Sequence, residues 1–131
     1  MLKALRDGNL TPGDVNYINA CGLGTKENDR IEAEAIRNLL GDRASSVCVS
    51  SMKSMIGHLG AGAGAVEMIG CILAMNNGVV PPTLNCDNPD DGFGLDFVPN
   101  KAREAKINVA LLNTASFAGQ NAAIAIKKLV D

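Results

Sequence analysis

Apolar positions along the chain change period several times, and each change marks an element. Leu2 and Leu5, followed by Gly8, read as the last turns of a helix with no capping residue before it, so the chain is expected to begin inside a longer protein. Thr11 as N-cap and Pro12 at the first helical position mark a short turn, after which residues 15–20 alternate as a strand that runs into Cys21 and Gly22. Between Asp29 and Leu40, Ile31, Ala35, Ile36, Leu39 and Leu40 recur at helical spacing and Gly41 supplies the stop, which predicts an amphipathic helix of about three turns with a solvated charged face. Residues 46–50 are short, β-branched and apolar on both faces, as a strand buried in a parallel sheet would be. The segment from Leu59 to Asn76 rises from glycine-rich to apolar and stops at Gly78 before Pro81 and Pro82, predicting a buried helix. Residues 83–104 read as an irregular excursion, with turn chemistry at residues 88–92. Two strands, residues 107–113 and 121–128, flank the tip at 115–120 and predict a closing β-hairpin.

The order β-α-β-α-β-β implies an α/β fold: a mixed sheet with helices on its faces and an antiparallel strand appended. Ligands of α/β sheets bind at strand-end loops, so residues near 21, 53–58 and 113–119 are expected to meet at one end. Of the 131 residues 47% are hydrophobic, enough for one core, and the net charge of −2 with dispersed basic residues leaves no footprint for nucleic acid. No apolar run approaches the ~20 residues a membrane span needs, and the first residues are too few and too charged for a signal peptide, so a cytoplasmic protein is expected. Cys21, Cys48, Cys71 and Cys86 form no C-x-x-C pair and have no histidine at zinc spacing, which favours reduced thiols over disulfides or a metal site. With no Trp and 14 Gly, elements must approach through small residues. Gly60, Gly62, Gly64 and Gly70 each cost a helix up to ~1 kcal/mol relative to Ala, and close packing against another backbone is the expected compensation.

The candidate chemistry centres on His58, the sole histidine, five residues after Lys53 and directly before a glycine-rich run. The lysine could orient the histidine or hold an anion, a ring N–H of His58 could donate to an oxyanion, and Asn113 could hydrogen-bond across the site. A lone histidine near a lysine is in many folds only a structural detail; its place at a strand-end loop is what raises it here. Cys21 is a candidate thiol in a glycine loop, although nothing basic adjoins it in sequence, and Ser50, Ser51, Ser54 and Ser116 have no carboxylate and histidine at a triad pattern.

Four ordered motifs span essentially the whole chain: Asp14-Val-Asn-Tyr-Ile-Asn-Ala-Cys-Gly-Leu-Gly-Thr25, Val49-Ser-Ser-Met-Lys-Ser-Met-Ile-Gly-His-Leu-Gly60, Val79-Val-Pro-Pro-Thr-Leu-Asn85 and Pro99-Asn-Lys-Ala-Arg-Glu-Ala105. The chain resembles the C-terminal half of a β-ketoacyl-acyl-carrier-protein synthase of the type II condensing enzymes. The resemblance implies the thiolase-like fold, in which two similar α/β halves pack together; residues 1–131 would be the second half, and the first would carry the nucleophilic cysteine. It further implies acyl chains delivered on the phosphopantetheine of an acyl carrier protein, no cofactor or metal of the protein's own, and a homodimer or heterodimer of the full-length protein. By the same resemblance His58 is the second catalytic histidine, Lys53 sets the electrostatics around it and Glu67 supports the lysine. Thr25, Asn113, Phe117 and Gly119 would be substrate-binding, with Phe117 as the gate over the acyl pocket.

Two departures accompany the match. The family's Asn-Ala-His-Gly-Thr reads Asn19-Ala-Cys21-Gly-Leu23, so a cysteine replaces the first catalytic histidine, and its Gly-Phe-Gly-Gly reads Ser116-Phe-Ala-Gly119, which adds side chain where the gate backbone needs freedom. A thiol is a weak donor of short reach, so impaired or altered activity is expected. Three readings follow: an elongating synthase, a non-elongating acyl-transfer homologue, and a non-catalytic partner subunit resembling a chain-length factor.

Overall fold

The computed structural model describes residues 1–116 and 119–129. Its centre is a four-stranded mixed sheet in the order β2-β1-β5-β6, formed by β1 (Tyr17–Asn19), β2 (Cys48–Ser50), β5 (Val109–Ala115) and β6 (Asn121–Lys127). The first three are parallel, with Ile18 facing Val49 on one side and Leu111 on the other, and β6 returns antiparallel with Leu111 opposite Ala125. The α/β architecture and the closing hairpin are those the hydrophobic pattern predicts.

Alternation along the strands sorts the core into two layers. Ile18, Val49, Val109 and Leu111 point to one face, where helices α1 (Leu2–Asp7) and α2 (Lys26–Leu40) contribute Leu5, Ile36 and Leu40. Tyr17, Cys48, Ala110 and Leu112 point to the other, against Cys71, Ala74 and Met75 of helix α4 (Ala63–Asn77). Helix stops follow the glycines: the chain leaves α2 at Gly41 and α4 at Gly78, both at positive φ. The turn before β1 is capped by Asp14, whose Oδ2 accepts from the Thr11 N–H at 2.8 Å and hydroxyl at 2.7 Å, and Arg43 ties it down by donating to the carbonyls of Pro12 and Val15.

Several expectations need correction. Helix α2 begins at Lys26, and its buried residues are Ala33, Ile36 and Leu40, while Ile31 is 51% exposed. Periodicity registers a stripe of apolar residues but cannot see that the inward face also carries Asp29 and Glu32. The excursion after Pro82 is partly regular, since β3 (Val79–Val80) pairs antiparallel with β4 (Arg103–Glu104), and a short helix α3 (Lys53–Ile56) follows β2. Helix α4 is not buried all round: Val66, Ile69, Ile72 and Leu73 are 40–56% exposed, and it is preceded by a 3₁₀ turn at Gly60–Gly62. A Cβ built at Gly60, Gly62 or Gly64 meets nothing within 4 Å, so these glycines pack against no backbone among the described residues; of the four, Gly70 is pressed, by the Met52 sulfur.

Candidate active site

Two strand-end loops and the end of β5 build the site. Helix α3 places Lys53 so that its side chain, 6% exposed, reaches back under α4. There its Nζ donates to Glu67 Oε1 at 2.5 Å, and Glu67 is 1% exposed. Two charges out of water are tolerable only as a pair, so each residue requires the other. Glu67 Oε2 has no hydrogen-bond partner among the described residues. Cys71, one turn on along α4, is pushed up to about 12, first by burial and then by the Glu67 charge, and is an inert thiol.

Gly57, at φ 77°, ends α3 by donating to Lys53 O at 2.9 Å and turns the chain outward into His58. The His58 ring is exposed, and its Nδ1 accepts from the Gly60 N–H at 3.3 Å. An accepting Nδ1 leaves Nε2 as the ring's donor. Lys53 and Glu67 therefore come together as expected, whereas no hydrogen bond joins His58 to either among the described residues.

The loop after β1 is built differently. Cys21 is 2% exposed, and its Sγ accepts from the Ala115 N–H at 3.3 Å and lies 3.7 Å from Ala115 O. Its backbone N–H and that of Gly22 donate to the two carboxylate oxygens of Glu32 at 2.8 and 2.9 Å, and the Asn113 amide donates to Glu32 Oε1 at 2.6 Å. Ser51 closes the loop from the β2 side, its hydroxyl 3.3 Å from Cys21 O, and a Cβ at Gly22 would stand 2.5 Å from that of Ser51. Asp29, one turn before Glu32, has its carboxyl pushed up by burial and then by the Glu32 charge.

Cys21 and Asn113 thus meet at one end of the sheet, as expected. Thr25 stands apart, exposed at the N-cap of α2 with its Oγ1 accepting from Asn28 at 2.7 Å. Gly119 is exposed at φ +76° in the tip, which closes with the Ser116 N–H on Gln120 O at 2.8 Å. Phe117 lies outside the described residues. Sequence reasoning passed over Glu32 because it reads as one of the charges on a solvated helix face; its only signal is the D-x-x-E spacing from Asp29, which places both carboxylates over the incoming loop.

The family model for the β-ketoacyl synthase C-terminal domain matches residues 1–87. The chain belongs to this family. Among proteins similar to this C-terminal domain is nodulation protein E of Rhizobium sp. (strain N33), 49% identical over 129 residues, covering 98% of the chain and 32% of that protein. Another is 3-oxoacyl-[acyl-carrier-protein] synthase 2 of Coxiella burnetii, 44% identical over 131 residues, covering 100% of the chain and 32% of that protein. The chain spans about a third of the length of these relatives. A type II PKS acyl-carrier protein in complex with its ketosynthase bound to the hexaketide superposes at TM-score 0.93 with 36% identity, over 98% of this chain and 31% of that one. The ishigamide ketosynthase/chain length factor superposes at 0.90, again with 36% identity, over 96% of the chain and 31% of the other. The α/β domain with its mixed sheet and flanking helices is thus that of thiolase-like ketosynthase C-terminal domains.

Proposed function

We propose that the chain is the C-terminal domain of a 3-oxoacyl-acyl-carrier-protein synthase homologue acting in fatty-acid or polyketide assembly, and that its decarboxylative step is weakened. In this reading an N-terminal half supplies the nucleophilic cysteine, acyl and malonyl groups arrive as thioesters on the phosphopantetheine of an acyl carrier protein, and the complete protein works as a homodimer or heterodimer, with no metal or cofactor of its own. The apolar outer face of α4, with Val66, Ile69 and Leu73 exposed beside the open Gly60, Gly62 and Gly64, supports such a cover, and the threefold greater length of the relatives gives it a source.

The observation that carries the reading is the asymmetry of the two loops. As CO₂ leaves a malonyl thioester, negative charge gathers on the thioester carbonyl oxygen, and preorganised donors there lower the barrier. His58 has the right form for this, exposed, with Nδ1 occupied and Nε2 left as the donor. Cys21 does not: its sulfur is turned to the Ala115 backbone and buried. Transfer of an acyl chain to the nucleophile depends less on position 21, so acyl loading outlasts decarboxylation, and the thiol's commitment to β5 favours the non-elongating variant of the reading over full elongation.

The test is release of labelled CO₂ from malonyl-carrier protein by the complete protein and its Cys21→His variant. The variant should release CO₂ roughly 10–10³-fold faster, the worth of an oxyanion donor, with acyl loading little changed. A parent protein that already decarboxylates as fast as the variant would promote the elongating reading, and one that neither loads acyl groups nor decarboxylates would leave the partner-subunit reading.

A further inference from the structure

We propose that Glu32 is a positioning residue that clasps the end of β1 to the end of β5, so that the Cys21 loop and the strand entering the 116–120 tip move as one unit. Three donors converge on its carboxylate from two chain segments about ninety residues apart: the Cys21 and Gly22 N–H groups at 2.8 and 2.9 Å, and the Asn113 amide at 2.6 Å. The β1–β5 ladder pairs Tyr17 with Ala110, Ile18 with Leu111 and Asn19 with Leu112, and among the described residues the two strands are not paired past Asn19. Past Asn19 the carboxylate takes over, and the Cys21 sulfur completes the join by accepting from the Ala115 N–H at 3.3 Å.

The arrangement is specific to a carboxylate at position 32. Glu32 accepts through both oxygens, and all three partners are donors; an amide in its place would turn an N–H₂ toward one of them. Ser51 supports the loop from behind, with its hydroxyl 3.3 Å from Cys21 O, so the loop is held from α2, from β2 and from β5 at once. The clasp stands on this geometry alone; its consequence for catalysis, that residue 21 and the end of β5 are set relative to each other, rests on the proposed function.

Reaction of the buried Cys21 with a maleimide, located by peptide mass spectrometry, tests the clasp in the purified protein, with Cys71 as the internal control for global opening. Glu32→Gln should speed labelling of Cys21 by roughly ten- to a hundredfold, the worth of a charged hydrogen bond, and leave Cys71 protected. Asn113→Leu, which keeps the volume and removes the one donor that β5 contributes, should speed labelling of Cys21 severalfold with Cys71 still protected. An effect at position 113 is what a mere need for bulk at position 32 would not give. Unchanged protection of Cys21 in Glu32→Gln overturns the proposal. If Cys71 becomes labelled together with Cys21 the Glu32→Gln protein has lost its fold and Asn113→Leu decides, unchanged protection of Cys21 in that variant overturning the clasp. Labelling involves no acyl chemistry, so its failure leaves the proposed function standing, and absence of acyl chemistry leaves the clasp standing.

Discussion

The loop after β2 and the loop after β1 face the same end of the sheet, yet they spend their polar groups in opposite ways. The first hides its charges and frees its histidine: Lys53 and Glu67 neutralise each other beneath α4, and His58 stands exposed with one ring nitrogen satisfied. The second does the reverse, committing its thiol, its backbone N–H groups and the neighbouring Asn113 amide to internal bonds. A group bound into the fold is a structural element, whereas a group with an unspent donor at the surface is available to a substrate. In this chain the exposed polar side chain lies on the β2 side, and the β1 side is bound inward.

That contrast predicts unequal costs when each carboxylate is removed, and the largest effect lies on the β2 side. Glu67→Ala leaves the Lys53 ammonium buried with no counter-charge, and breaking a buried pair in this way costs about 3–5 kcal/mol. Lys53→Met, which removes the companion charge at similar volume, should recover part of that loss when added to Glu67→Ala. Urea unfolding of the three proteins measures it. A Glu67→Ala protein within ~1 kcal/mol of the parent would show that water already reaches the pair, and the contrast between the loops would fail.

A smaller loss should follow on the β1 side from Gly22→Ala. The residue sits at φ +48°, where an L side chain costs roughly 1–2 kcal/mol, and the added Cβ would stand 2.5 Å from that of Ser51. The Ser51→Gly background removes the second term and leaves the first, so the two can be read apart by the same unfolding experiment. Equal losses in both backgrounds would mean the loop shifts to avoid Ser51, and that it is looser than the bonds to Glu32 imply.

How much of this could be read beforehand depends on what each element spends. The central strands were legible because residues 15–20 alternate and residues 46–50 form a short β-branched run apolar on both faces, and both patterns are visible in a sequence. The Lys53 and Glu67 pairing came through the family resemblance, whose spacing carries a lysine and a carboxylate to one place fourteen positions apart. Glu32 was not legible, since a carboxylate that binds backbone N–H groups of a loop leaves no apolar trace and looks like any solvated charge. The outer face of α4 misled for another reason: the apolar run was read as burial, but burial needs a partner surface, and among the described residues there is none for Ile69 or Leu73.

The smallest expected effect tests that last point. Gly64 lies in the first turn of α4, and an added Cβ there meets nothing within 4 Å. Replacing a helical glycine by alanine then removes backbone freedom from the unfolded chain without a clash, so Gly64→Ala should raise the stability of this chain alone by up to ~1 kcal/mol. In the complete protein of the proposed reading the sign should invert. If the glycine-lined face of α4 receives another backbone, a methyl group at that contact is overpacking, which typically costs ~1–3 kcal/mol. Thermal unfolding of the chain alone and of the complete protein, each with and without the substitution, gives the comparison. A gain in both would mean the face stays open in the assembled protein, and the apolar surface of Val66, Ile69 and Leu73 would then belong to some contact other than the one proposed.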